Sequence, residues 1–292
     1  MKLEFWGTRG SVPTPGRGTA GYGGNTSCVA VATDLADHLA ILDAGSGIRL
    51  LGEELPDGLS RIDVLLTHLH MDHIIGLGFF GALYRTDLEV HIWGPSSTTR
   101  DLRARLARYL SPPLFPVRLS DLPSEPVLHD VPLGDFEVPG LAVRAALVCH
   151  PGPTVGYRLD DGRSTVAYLP DHEPALGAHT FPDAPGWTSG YDLASGVDVL
   201  IHDAQYEDSE YGEHVGWGHS AIGDTFRFAA LAGVGHLVPF HHDPSHDDRT
   251  LDAIYARDEV AEQPFGVTPA RERATFEVSR ATRRHRARAA TG

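Results

Sequence analysis

The segment His68-Leu-His70-Met-Asp72-His73 places three imidazoles and a carboxylate within six residues. It follows the apolar run Ile62-Asp-Val-Leu-Leu-Thr67, which reads as a buried strand. On an extended chain His68 and His70 lie on one side. Asp72 and His73 come where the chain turns into the next helix. One short loop of this spacing can feed two adjacent metal ions. Neutral imidazole and carboxylate suit zinc, and also iron or manganese. A chain built around such a loop must fold so that further ligands reach the end of the same strand.

Several other apolar runs end in His or Asp. They are Leu39 to Asp43, Ala142 to His150, Ser164 to Asp171, Val197 to His202-Asp203, and His236 to His241-His242. A lone terminal His usually just caps a strand, but repetition is a signal. In α/β sheets, sites gather at one edge beyond the strand ends. The pattern predicts strands near 2–6, 28–33, 39–43, 62–66, 89–93, 141–149, 154–159, 164–169, 197–202, 235–240 and 274–279. It predicts helices near 72–84, 97–110, 219–232 and 247–262. Strand-rich stretches interrupted by amphipathic helices imply an α+β fold, with two sheets packed face to face and helices outside.

At this point the chain resembles the metallo-β-lactamase superfamily, whose signature is H-x-H-x-D-H. The resemblance runs from Gly7-Thr-Arg-Gly-Ser11 to His241. Gly7-Thr-Arg-Gly-Ser-Val-Pro-Thr14, Gly24-Asn-Thr-Ser27 and Leu42-Asp-Ala-Gly45 are similar to its tRNase Z-like and cyclic-nucleotide phosphodiesterase branch. So are Gly216-Trp-Gly-His-Ser220 and Phe240-His-His-Asp-Pro244. The resemblance implies a four-layer αββα sandwich with a dinuclear metal site at one edge between the sheets. It implies that His68, His70 and His150 hold one ion, that Asp72, His73 and His241 hold the other, and that Asp171 bridges them. Two divalent ions would be the cofactors, zinc first, with manganese or iron as alternatives. A metal-bridging hydroxide would attack phosphorus, with Asp72 in the reacting centre. By the same resemblance, His219 would protonate the leaving oxygen and Asp203 would orient it. A carboxylate-held His keeps one tautomer and a raised pKa, which suits a general acid. Ser220 and His242 are candidate substrate-binding residues, though Ser220 could equally be a helix N-cap.

The charge balance bears on the substrate. Formal net charge is −15, and Lys2 is the only lysine. That balance repels long polyanions unless a local basic patch exists. A small cyclic nucleotide therefore fits better than folded RNA, and no long Gly/Pro/basic insertion of the RNA-gripping kind interrupts the chain. The alternatives are an RNA 3′-processing endonuclease, a phosphodiesterase for another cyclic sugar phosphate, a thioester or lactam hydrolase of the superfamily, and a non-catalytic cyclic-nucleotide binder. Phe79, Phe80, Tyr84, Trp187 and Trp217 are candidates for base stacking and equally for the core.

Residues 1–280 are expected to form a single catalytic domain, since the candidate ligands draw on both halves, with a basic flexible tail at 281–292. Arg271, Arg273, Arg280, Arg283, Arg284, Arg286 and Arg288 cluster at the C-terminus, and such an Arg/Ala-rich end reads as frayed and solvated. Cys28 and Cys149 sit in strand-like runs and are expected as buried free thiols, Cys149 turned away from the metals, which fits a cytoplasmic protein. No 18-residue apolar run predicts a membrane span. A homodimer is implied by the resemblance. The glycine-rich start lacks the Gly-Lys-Ser/Thr ending of a P-loop and is expected to bring backbone close to the metal site. His172 is expected to point away from the metals. His38, His91, His129, His179 and His285 read as surface or satisfied core residues.

Overall fold

The computed structural model describes residues 1–178 and 180–278. Their strands form two seven-stranded sheets. The first is ordered β14 (Thr275–Glu277), β1 (Lys2–Gly7), β2 (Cys28–Ala32), β3 (His38–Leu42), β4 (Arg61–Leu65), β5 (Glu89–Pro95), β6 (Val127–Val131). The second is ordered β13 (Gly266–Val267), β12 (His236–Phe240), β11 (Val199–Asp203), β10 (Thr165–Leu169), β9 (Val155–Asp160), β8 (Leu141–Leu147), β7 (Gly134–Val138). Both sheets are built alike. From β14 to β3 the pairings are antiparallel, and from β3 to β6 they are parallel. From β7 to β10 they are antiparallel, and from β10 to β13 parallel.

Side-chain alternation along the strands sets the layers. β3 sends Ala40 and Leu42 inward, and Leu39 and Ile41 outward against Ile48, Leu77 and Phe80. β10 sends Val166 and Tyr168 inward, and Ala167 and Leu169 outward against Phe226 and Phe228 of the helix Ile222–Ala232. Strands buried on both faces read as unbroken apolar runs, as these do. The result is an αββα sandwich, with one core between the sheets and one under each helical layer. Gly233, at φ 64°, ends the helix Ile222–Ala232 in the left-handed conformation that glycine takes readily.

The strands expected from apolar runs are present, with ends shifted by one or two residues; residue 279 lies outside the described chain. The sequence pattern gives no sign of β6, β7 or β13. All three lie at sheet edges, and their residues are mostly half-exposed or exposed. The helix expected over 72–84 is instead one turn, Met71–Ile74, followed by two 3₁₀ turns, Leu77–Phe79 and Gly81–Tyr84. Close packing breaks it. Gly76 donates its N–H to Ala44 O at 3.0 Å, and a Cβ there would lie 2.1 Å from Gly45 O. The helix expected over 97–110 shrinks to Leu102–Leu106, capped by Asp101 accepting from Ala104 N. The segment 247–262 splits into Asp248–Tyr255 and Asp258–Ala261, and Ile48–Glu53 is an unexpected helix.

Arg271 and Arg273 correct the tail reading. Each packs over a ring, Tyr22 and Trp6 respectively, at 3.7 Å, and pairs with Asp252 or Glu54. They belong to the folded body. The rest of that arginine cluster, the tail 281–292, His179 and His285 lie outside the described residues. Cys28 is buried, whereas Cys149 is only half-buried. Among the described residues no helix is long and apolar enough to cross a membrane.

Candidate metal centre

The centre forms beyond the carboxyl ends of the parallel strands, where such sheets gather ligands. β3 leads to Asp43, β4 to Thr67 and His68, β10 to Asp171, and β12 to His241; β11 ends in Asp203. Four overlapping groups of potential ligand atoms result among the described residues. Two share no residue, one of His68, His70 and His150 and the other of Asp72, His73, Asp171 and His241; the remaining two, His150 with Asp171 and His219, and Asp203 with His219 and His241, draw in His219. His70 Nδ1 lies 3.2 Å from His150 Nε2. Asp171 reaches both groups. Its Oδ2 lies 3.7 Å from His68 Nε2 and 3.7 Å from His150 Nε2. Its Oδ1 lies 2.9 Å from His73 Nε2 and 3.4 Å from His241 Nε2. Asp72 Oδ2 stands 3.4 Å from His73 Nε2 and 3.3 Å from His241 Nε2.

These atoms fit divalent cations. His68 Nε2 is buried without a hydrogen-bond partner, which costs about 1–3 kcal/mol unless something satisfies it, and His73 Nε2 and Asp171 Oδ1 have only each other at 2.9 Å. Tetrahedral ligands about 2.0–2.1 Å from an ion are spaced by roughly 3.3–3.4 Å, which matches most of the separations above. Charge points the same way. Burial alone would depress His73, but Asp171, Asp72 and Asp43 raise its pKa well above the usual value. Burial, with His73, His150 and His70 nearby, pushes His68 well below it. The carboxylates thus favour added positive charge beside them, while burial keeps the His68 ring neutral with a lone pair for an ion.

The other ring nitrogens are held from behind, which fixes tautomer and orientation. His73 Nδ1 donates to Asp43 Oδ2 at 2.8 Å, His150 Nδ1 to Gly218 O at 2.8 Å, and His241 Nδ1 to Gln205 Oε1 at 2.9 Å. Asp43, fully buried, also accepts from Thr67 N at 2.8 Å and Tyr168 Oη at 2.9 Å. Thr67 Oγ1 contacts both Asp43 and His68 Nδ1. The expectation for the glycine-rich start holds at Gly10, where a Cβ would lie 2.4 Å from His241 Nδ1. Ser11 N donates to Asp72 Oδ2 at 2.8 Å.

His219 stands between the two groups. Its ring stacks on His241 at 5.0 Å and meets His150 edge-on at 5.0 Å. Its Nδ1 donates to Asp203 Oδ2 at 2.7 Å. Burial alone would lower its pKa, but Asp203, with Asp171 and Asp72 beyond, raises it to about 9. Cations alongside would lower it. Asp203 is fully buried and also accepts from His172 N, Gln205 N and Ser220 N.

Two candidate substrate contacts are corrected. Ser220 is buried, and its hydroxyl donates to His172 O at 2.5 Å, so its one proton is committed. It is not an N-cap either, since the helix begins at Ile222 with Ala221 before it. His242 is fully buried, donates from Nε2 to Ala270 O at 3.0 Å, and meets the rings of Tyr22 and Tyr255. His172 takes no place in the ligand groups and bonds His202 at 2.9 Å. His38 pairs with Asp63, and His91 with Glu89 and His129. Of the candidate stacking rings, Phe80 is core, while Phe79, Trp217 and Trp187 are exposed. The sequence singled out Asp43 only as a strand end and gave no role to Gln205, because hydrogen bonds to a ligand's far nitrogen leave no periodic trace.

A family model described as beta-lactamase superfamily domain matches residues 40–242. The chain is 26% identical to a ribonuclease Z of Myxococcus xanthus, over 85% of this chain and 88% of that protein. It is 29% identical to a ribonuclease Z of a Picosynechococcus strain, over 88% and 90%. In structure it is similar to the metallo-beta-lactamase fold protein YhfI from Bacillus subtilis, with a TM-score of 0.69 and 17% identity, covering 94% of this chain and 98% of that one.

Proposed function

The chain belongs to the β-lactamase superfamily as a metal-dependent phosphodiester hydrolase, and on that premise we propose that it hydrolyses a small cyclic nucleotide. What supports hydrolysis is Asp171, whose two oxygens face two separate ligand groups with His219, held by Asp203, standing between them, and what favours a small substrate over a long polyanion is the net charge of −15. His68, His70, His150 and Asp171 would hold one ion, and Asp72, His73, His241 and Asp171 the other. Zinc suits this His/Asp set, and manganese or iron are the alternatives. When bound, two divalent cations supply a nucleophile from water at neutral pH and neutralise charge on phosphate. His219, with Nδ1 committed to Asp203, keeps Nε2 for a proton that passes to the leaving ribose oxygen. Asp203 fixes that tautomer and stabilises the protonated ring. Trp217 and Phe79, exposed at 59% each, offer apolar faces for a base. Residence in the cytoplasm and assembly as a homodimer belong to the same proposal.

A second reading, cleavage of RNA, draws on the relatives named ribonuclease Z and on where the arginines lie. Arg100, Arg103, Arg108 and Arg118 are exposed, and among the described residues none has an ionic partner within 4.0 Å. They flank a segment that leans on the centre: Tyr109 Oη donates to Ile75 O at 2.5 Å, two residues beyond His73, and Phe115 meets Phe79 edge-on at 5.4 Å. Together they would form a basic strip that offsets the overall charge locally. Turnover of cyclic mono- and dinucleotides, compared with an RNA carrying a 3′ extension, in zinc and in manganese, separates the two. Cleavage of the RNA with no action on any cyclic nucleotide would replace the first reading by the second.

A further inference from the structure

Glu173 lies two residues beyond Asp171, is 1% exposed, and takes no part in the chemistry above. Its carboxylate faces three donors from a single loop. Tyr211 Oη donates to Oε1 at 2.6 Å, Gly216 N to Oε1 at 2.9 Å, and Gly218 N to Oε2 at 2.9 Å. That loop, residues 211–218, serves the centre twice. Gly218 O accepts from His150 Nδ1 at 2.8 Å, and His219 is the next residue. Gly216 and Gly218 have φ of 85° and 88°, the left-handed region open to glycine. A Cβ on Gly218 would lie 2.4 Å from His150 Nδ1. Between the two pinned amides stands exposed Trp217.

We propose that Glu173 is the positioning residue that fixes the 211–218 loop and thereby sets His150 and His219 together. The proposal rests on the hydrolytic reading for the meaning of those two histidines. Its physical basis is the loop's composition. Glycines lose more conformational freedom on ordering than any other residue, so a loop with Gly212, Gly216 and Gly218 needs strong ties. A carboxylate accepting from backbone N–H groups makes hydrogen bonds roughly twice as strong as neutral ones. One buried side chain thus links the end of β10, which carries Asp171, to both the ligand and the proton donor.

The test is Glu173→Gln, with Tyr211→Phe beside it. Gln keeps the shape but offers one acceptor oxygen where Glu has two, so an NH2 meets a loop donor. Amide exchange at Gly216 or Gly218, followed by NMR, should accelerate roughly tenfold or more, while amides of β10 and β11 keep their rates. Zinc affinity should fall on the order of tenfold as His150 loses its fixed carbonyl. In turnover, kcat should fall by a larger factor than KM rises. Tyr211→Phe removes one tie and leaves both glycine bonds, so it should raise loop exchange by a smaller factor. A folded Glu173→Gln protein with unaltered glycine exchange and zinc affinity overturns the proposal. If that variant does not fold, unaltered loop exchange in Tyr211→Phe overturns it instead. Exchange and zinc binding are read without turnover, so a chain that cleaves no phosphodiester would defeat the functional reading while the loop is judged on its own data.

Discussion

Asp43→Asn should weaken the second ion's hold without unfolding the chain. In the native site Asp43 Oδ2 accepts from His73 Nδ1 and from Tyr168 Oη, and Oδ1 accepts from Thr67 N. Asn can keep its oxygen on Thr67 N, which places its NH2 against His73. Nδ1 must then become the acceptor, and the ring proton moves to Nε2, the atom that faces Asp72 and Asp171. A protonated Nε2 cannot bind an ion. Loss of such an orienting partner typically costs 10–100-fold in metal affinity, or about 1.4–2.7 kcal/mol. Tyr168 Oη also loses its acceptor, which lowers stability by about 1–3 kcal/mol. Titration against buffered free zinc measures the first effect, and nitrogen-15 spectra of the imidazoles report the tautomer. A variant with lower melting temperature but zinc affinity within twofold of the native protein would show that Asp43 only supports the fold.

Further outcomes follow from the same geometry. His70→Ala should lose metal and activity together, and full turnover in that variant would remove the first ligand group from the mechanism. His219→Ala should keep its metal while turnover falls on the order of a hundredfold; unchanged turnover would take His219 out of the reaction. Replacing Arg100, Arg103, Arg108 and Arg118 together by Ala should weaken binding of a single-stranded RNA and flatten its salt dependence, with hydrolysis of a small aryl phosphodiester retained; equal RNA binding would dismiss the basic strip. His202 sets a pH dependence. Burial, opposed by Asp203, lowers its pKa to about 4, against about 6.5 unfolded. The unfolded chain therefore binds its proton first, so this contribution is whole above pH 6.5 and fades as pH falls toward 4. It amounts to about 2 kcal/mol between pH 7 and 5. Urea unfolding of chelated His202→Gln should show a correspondingly shallower loss than the native chain, and equal slopes would contradict the assignment.

What could be read in the sequence was what has a local or periodic signature. His68, His70, Asp72 and His73 share one loop, and His150, Asp171 and His241 each follow an apolar run, so alternation and strand ends exposed them. The resemblance supplied their grouping, and the folded chain brings the same side chains within reach of one another. Edge strands β6 and β7 escaped because a half-solvated strand need not be apolar. The helix expected after Asp72 failed because Gly76 must pass against Gly45, a contact between distant segments. Ser220 and His242 were misplaced for a related reason: adjacency in sequence to a site residue does not decide which way a side chain turns. Asp43, Gln205 and Glu173 act through partners dozens of residues away, and only the folded chain brings those partners to them.

A carboxylate shared by two ligand groups makes their occupancies interdependent. Asp171 is 2% exposed and its Oδ1 already stands 2.9 Å from His73 Nε2, so its rotamer is set by the fold and its one negative charge would serve two cations. Linkage is reciprocal: the factor by which the first ion changes its neighbour's affinity is the factor by which the neighbour changes the first ion's. Stepwise zinc titration reads that factor: a mixture of full and empty molecules means that the coupling is favourable, and a half-filled population means that repulsion between the two cations outweighs the shared carboxylate.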